Sequence, residues 1–244
     1  MTDNYLSISY WKLTKNIYYS ILFILPMLFI YEMMCFIQFA GDTFVIRNGA
    51  DVFIRQLFDG FGRYAELVYG LFLFIIMFNI MYLNREVIKG GRLKFSFLFY
   101  MLIESIFWSL GFILIMSVSE DLLLSILERN IIPEQFYLAI GAGIWEELVF
   151  RVGLISLILI FMIRIVGYNG IFATLLAIII SSVLFSLFHY LGPFTENFAF
   201  KSFYLRTLAG IFLGSLYLFR GFGIAVYTHI IYDIVIISLP VILI

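Results

Sequence analysis

Seven ionisable side chains in the second half of this chain stand inside or at the edge of long apolar runs: Glu146, Glu147, Arg151, His189, Arg206, His229 and Asp233. A charge well inside a membrane helix costs about 3 kcal/mol on insertion scales, so such residues mark function unless they brace the fold. Carboxylates and imidazoles together are the equipment of proton transfer and of water activation. In Trp145-Glu146-Glu147-Leu148-Val149-Phe150-Arg151, Glu147 and Arg151 are four apart on one helical face, acid before base, the better order for an ion pair. That pairing fixes one carboxylate as an anion. Glu146 points about 100° away around the helix and is free to take or give a proton, a division of labour typical of acid/base sites. A buried Glu–Arg brace with a spare acid is the competing structural reading.

Two further motifs use both histidines of the chain. Phe185-Ser186-Leu187-Phe188-His189 is followed by Tyr190-Leu191-Gly192-Pro193. Gly-Pro ends a helix, so His189 projects from a helix C-terminus, where the dipole favours a cation. Read alone, that position also suits a wetted end residue. His229-Ile230-Ile231-Tyr232-Asp233 again has the four-residue spacing, close enough for the carboxylate to orient the ring or for both to touch one ligand. Ser186 has no base at a legible spacing, and no Ser or Cys stands out as a nucleophile. The one cysteine, Cys35, lies in an apolar run and has no partner for a disulfide.

The elements that must position these groups are membrane helices. Of the 244 residues, 64% are apolar, 20% aromatic and 13% charged, about half the charge that a water-facing surface carries. Disordered, collagen-like and disulfide-framework classes are excluded, and a net charge of −1 gives no basis for nucleic-acid binding. Long runs of Leu, Ile and Phe, rather than short alternating segments, predict an all-α polytopic transmembrane bundle with no soluble domain. Seven spans are expected, near residues 17–39, 65–82, 95–118, 136–163, 171–190, 203–219 and 224–244. The first is an anchor and not a cleaved signal. Residues 51–59 suit a short amphipathic helix in the headgroup plane or an ordinary amphipathic linker. Glu32 and Glu104 are the acids of the first three spans, and neither has a partner nearby in sequence.

Seven spans place Lys12, Lys15, Arg85, Lys89, Arg92, Lys94, Arg164 and Arg220 on one side of the membrane. Arg47, Arg55, Arg63, Arg129 and Lys201 fall on the other. The bias predicts a cytoplasmic N-terminus. Gly210 and Gly214, four apart after Arg206, let a neighbouring helix approach closely, as do Gly141 and Gly143 just before the glutamates. Arg206 reads as a counter-ion or an end-of-helix cation that snorkels to the interface.

Glu-Glu-x-x-x-Arg, then Phe-x-x-x-His, then His-x-x-x-Asp on successive helices resembles the intramembrane protease family of type II CAAX prenyl endopeptidases and bacteriocin-processing, or Abi, proteins. The resemblance covers residues 136–240 and divides the chain into three N-terminal spans (1–135) and a four-span core (136–244). It implies an endopeptidase with Glu146, Glu147, His189 and His229 as the catalytic set and Asp233 beside them. Arg151, Arg206, Gly210 and Gly214 would support the site. The family's last motif more often ends in Asn, a hydrogen-bond donor that Asp233 matches only when protonated.

The expected mechanism has Glu146, assisted by His189, polarising a water that attacks the scissile carbonyl. His229 then steadies the oxyanion and Glu147, tied to Arg151, holds the site. Relatives are commonly labelled metalloproteases, and zinc, if held, would take Glu146, His189 and His229. The expectation leans to a metal-free reaction. Expected partners are the bilayer and a hydrophobic, prenylated, signalling or bacteriocin-type peptide, and the expected location is a bacterial plasma membrane. The rival readings are a catalytically silent scaffold or immunity protein of the same fold, and a proton-coupled transporter, for which inverted repeats are not apparent.

Overall fold

A computed structural model of the chain describes residues 10–41, 45–83, 94–117, 134–191 and 197–242. Every regular element among them is helical. In chain order these are α1 (Ile17–Gly41), α2 (Gly49–Gln56), α3 (Ala65–Leu83), α4 (Phe95–Met116), α5 (beginning as Glu134–Gly141 and ending as Phe161–Val166), α6 (Gly170–Phe188), α7 (Phe200–Arg220) and α8 (Phe222–Ile242). Six of them, counting α3 with the tight turn before it, are long and apolar enough to cross a membrane. The seventh expected span corresponds to α8, a 21-residue apolar helix.

α8 is as apolar as the other helices but packs inside the bundle. Ile224, Ala225, Val226, Thr228 and Ile230 are all but fully buried, because α8 packs against α1, α4, α5 and α7. It is the axis of the bundle. The outer helices turn Phe36, Phe107, Leu114 and Ile171 outward, which in a bilayer is the solvated side. Small residues set the close approaches. A side chain at Gly143 would collide with Ile230 Cγ1 and meet the Val226 carbonyl at 3.0 Å, so α5 and α8 touch backbone to backbone there. At Gly210 the obstacle is Ser182 Cα at 2.8 Å, which joins α7 to α6, and Gly214 faces Ile155 on α5 and Ile178 on α6.

α5 is not a uniform α-helix. Ala142–Glu146, Leu148–Ile155 and Phe161–Val166 take the wider π form, an arrangement that is rare, occurs in short turns and is frequent at functional sites. The motif Glu-Glu-x-x-x-Arg lies across the first two of these turns.

The amphipathic segment near residue 51 is a helix, α2. It is capped by Asn48, whose side-chain oxygen accepts the Ala50 N–H, the usual way of satisfying a first-turn donor. Asp51 is completely buried beneath it, clamped by Arg47 Nη1 at 2.8 Å and Arg55 Nε at 2.8 Å. Glu32 on α1 takes the same two arginines, at 3.0 and 3.1 Å. Glu104 on α4 pairs with Arg220 at the end of α7, accepts from Tyr10 Oη at 2.6 Å and from Trp108 Nε1 at 3.3 Å. Glu32 and Glu104 thus both have partners distant in sequence. The Gly192-Pro193 helix stop, the end of the third span at Val118, and Arg85, Lys89, Arg92 and Arg129 of the charge comparison lie outside the described residues.

Candidate active site

The glutamate pair sits where α5 crosses α8. Glu147 is fully buried, with Arg151 Nε 3.1 Å from one carboxylate oxygen and His229 Nδ1 2.9 Å from the other. The expected Glu147–Arg151 pair is therefore present, and it extends through the same carboxylate to the histidine of α8. Arg151 also lays its guanidinium over the Phe185 ring at 4.4 Å, and its two terminal nitrogens have no hydrogen-bond partner among the described residues. A cation kept this dry is held by Glu147 and by the ring face.

His229 is nearly buried and lies between two acids, with Nε2 3.5 Å from Asp233 Oδ2. The four-residue spacing does place Asp233 on the histidine's face, but Glu147 is the nearer carboxylate. Because a carboxylate can only accept, the Nδ1 atom facing Glu147 carries the proton, and Nε2 is the nitrogen turned to the more open side. Asp233 itself is partly exposed.

Glu146 is nearly buried and takes a donor that the motifs did not indicate. Asn48 Nδ2 stands 3.0 Å from Glu146 Oε1, from a residue 98 positions earlier. Glu146 is also close enough to His229, Asp233 and Arg151 to interact with each electrostatically. Sequence held two signals for this contact: an Asx residue opening a short amphipathic helix, and a glycine at 141. A side chain on Gly141 would lie 3.1 Å from Asn48 Cβ and collide with the Tyr31 ring, so only glycine admits that loop to α5.

His189 follows the last residue of α6, as the turn after Phe188 requires. Its Nδ1 lies 2.9 Å from the Phe185 carbonyl. A carbonyl accepts only, so the neutral ring has its proton on Nδ1 and a lone pair on Nε2. His189 joins the group through Phe185, whose ring centroid is 5.0 Å from the His189 ring and 6.3 Å from the His229 ring. Ser186 donates to the Phe203 carbonyl at 2.7 Å and tethers α6 to α7. Arg206 lies with its guanidinium 5.5 Å from the Tyr190 ring centroid. No group of three His, Cys, Asp or Glu among the described residues is placed to hold a metal ion. Glu146, His189 and His229 do not form a ready zinc cage, and no step below is routed through a metal.

The family model described as type II CAAX prenyl endopeptidase Rce1-like matches residues 128–235. The matched stretch is similar to a CAAX-protease domain. It is a little under half of the chain and contains every motif residue from Glu146 to Asp233, as the resemblance implied. Asn48 lies outside it. No curated protein and no solved structure matches the chain. With six helices among the described residues fit to cross a membrane, the matched stretch is part of an integral membrane protein.

Proposed function

We propose that the chain hydrolyses a peptide bond in a hydrophobic, membrane-associated peptide, with Glu146 as the base that activates water. The observation that carries this reading is the convergence of Glu146, Glu147, His229 and Asp233 from α5 and α8 inside a stretch similar to a CAAX-protease domain. Peptide hydrolysis needs water, a base and a donor for the oxyanion. Asn48 occupies Glu146 Oε1 and leaves Oε2 to draw a proton from water. His189, with its Nε2 lone pair free, assists from the end of α6. His229 as the imidazolium, its Nδ1–H held by Glu147, presents its Nε2–H to the developing oxyanion from the side bound only loosely by Asp233. The attack needs no covalent intermediate and no metal.

The substrate class follows the family description: a C-terminal CAAX sequence carrying a prenyl group, or a bacterial hydrophobic signalling or bacteriocin-type peptide with equivalent lipid affinity. We propose a bacterial plasma membrane as the location and, on the Lys and Arg distribution, a cytoplasmic N-terminus. The test is cleavage of fluorogenic farnesylated CAAX and unprenylated hydrophobic peptides by detergent-purified protein, against Glu146→Ala and Glu147→Ala. Loss of cleavage in both variants is expected. Wild-type protein that cleaves neither peptide, or variants that cleave as well as wild type, would overturn the reading.

A further inference from the structure

We infer that Asn48, outside the matched domain, is a positioning residue for the reaction: it holds Glu146 so that one chosen carboxylate oxygen faces the water. The inference rests on the proteolytic reading above and deepens it. Asn48 has one side-chain oxygen and one side-chain nitrogen, and the fold uses both. The oxygen accepts the Ala50 N–H at 2.8 Å as the cap of α2. That bond settles the orientation of the amide, since the NH2 group must then point the other way, to Glu146 Oε1 at 3.0 Å.

The amide is also anchored from behind. The Asn48 backbone N–H donates to Tyr31 Oη at 3.1 Å, and that hydroxyl donates to Asp51 Oδ2 at 2.9 Å. Asp51 is gripped in turn by Arg47 and Arg55. The chain of contacts runs from two ion pairs to the carboxylate of Glu146, and the missing side chain at Gly141 leaves room for it. A cap alone would need neither the glycine nor the outward-facing NH2. Of the groups around Glu146, Glu147 and Asp233 are acids, Arg151 faces Glu147, and His229 is bounded by two carboxylates. Asn48 is thus the neutral donor that can fix Glu146 in place without neutralising it. In that respect it supplies an amide to a site whose last motif ends in Asp233.

The cap and the positioning role separate by substitution. Asn48→Ser and Asn48→Asp both retain an oxygen that caps α2, while serine cannot reach Glu146 and aspartate presents it with a second acceptor. Purified variants are compared with wild type on the farnesylated CAAX and unprenylated peptides, and kcat and KM are read separately. The Glu146 carboxylate stretch is isolated as the infrared difference between wild type and Glu146→Gln. We expect kcat to fall at least tenfold in Asn48→Ser and further in Asn48→Asp, with KM within threefold of wild type. The Glu146 band should move in Asn48→Ser, and the unfolding midpoint should stay close to that of wild type. A kcat within threefold of wild type in both variants, a loss carried by KM, or an unmoved carboxylate band overturns the assignment while leaving the protease reading intact. Absence of cleavage by wild type removes both.

Discussion

Glu147 on α5 and His229 on α8 share a hydrogen bond of 2.9 Å although 82 residues separate them. The same carboxylate holds Arg151 at 3.1 Å, so one buried anion serves two cationic or proton-bearing partners. Such an anion is structural as much as chemical. Its neighbour Glu146, held by a neutral amide, has no buried cation depending on it in the same way.

This asymmetry predicts different failures for the two glutamates. Glu147→Ala leaves Arg151 buried without its partner, a change that costs about 3–5 kcal/mol in comparable sites. It should therefore lower the unfolding free energy in detergent as well as abolish cleavage. Glu146→Gln keeps an oxygen for Asn48 and should lose cleavage with stability within about 1 kcal/mol of wild type. Denaturant titration alongside peptide turnover checks both. Equal loss of stability in the two variants would contradict the division.

Arg220 ends α7 with almost no exposure, and its guanidinium lies against Glu104, Thr14 and the Trp11 ring. Arg220 thereby ties the segment before α1, the middle of α4 and the junction of α7 with α8 into one corner. Arg220→Ala should destabilise the protein by about 3–5 kcal/mol, since Glu104 would be left with only Tyr10 and Trp108 as donors. The double variant Arg220→Leu with Glu104→Leu should recover part of that loss. An unfolding midpoint unchanged in Arg220→Ala would rule out this account.

Peptide cleavage should survive exhaustive dialysis against a zinc chelator, with less than twofold loss of rate, because the acids and imidazoles of the site do not gather three to a metal. Elemental analysis of the purified protein under the same conditions is the companion measurement. Stoichiometric zinc whose removal abolishes turnover and whose return restores it would replace the metal-free mechanism.

What the sequence made legible was local. The spans at α1, α3, α4, α6 and α7 are visible as apolar runs, and Glu147–Arg151 and His229–Asp233 as four-residue spacings that a helix must bring together. The seventh span was legible in the same way, although α8 is buried among other helices. The π turns of α5 left no mark on the apolar pattern. Partners across helices were also hidden: Glu32 with Arg47 and Arg55, Glu104 with Arg220, and Asn48 with Glu146 join positions that no periodicity links. The charges inside apolar runs announced that Glu32 and Glu104 needed partners, without saying which. Asn48 carried no such demand, being neutral and in a loop.

The glycines offer the last test, because the backbone says which of them are needed. Gly143 abuts the Ile230 side chain and the Val226 carbonyl of α8, and the carbonyl cannot rotate away as a flexible side chain would. Gly143→Ala must push α5 from α8 three residues before Glu146, at a packing cost of about 1–3 kcal/mol. It should also reduce kcat, since Glu147 and His229 face each other across that contact. Gly70 on α3 and Gly111 on α4 have nothing within 4 Å of an added side-chain carbon. Alanine there should be neutral or stabilising by a few tenths of a kcal/mol, as helix propensity favours it. Unfolding and turnover of the three alanine variants, measured side by side, separate close helix packing from glycine content. A Gly143→Ala protein as stable and active as Gly111→Ala would mean that α5 and α8 do not meet as described.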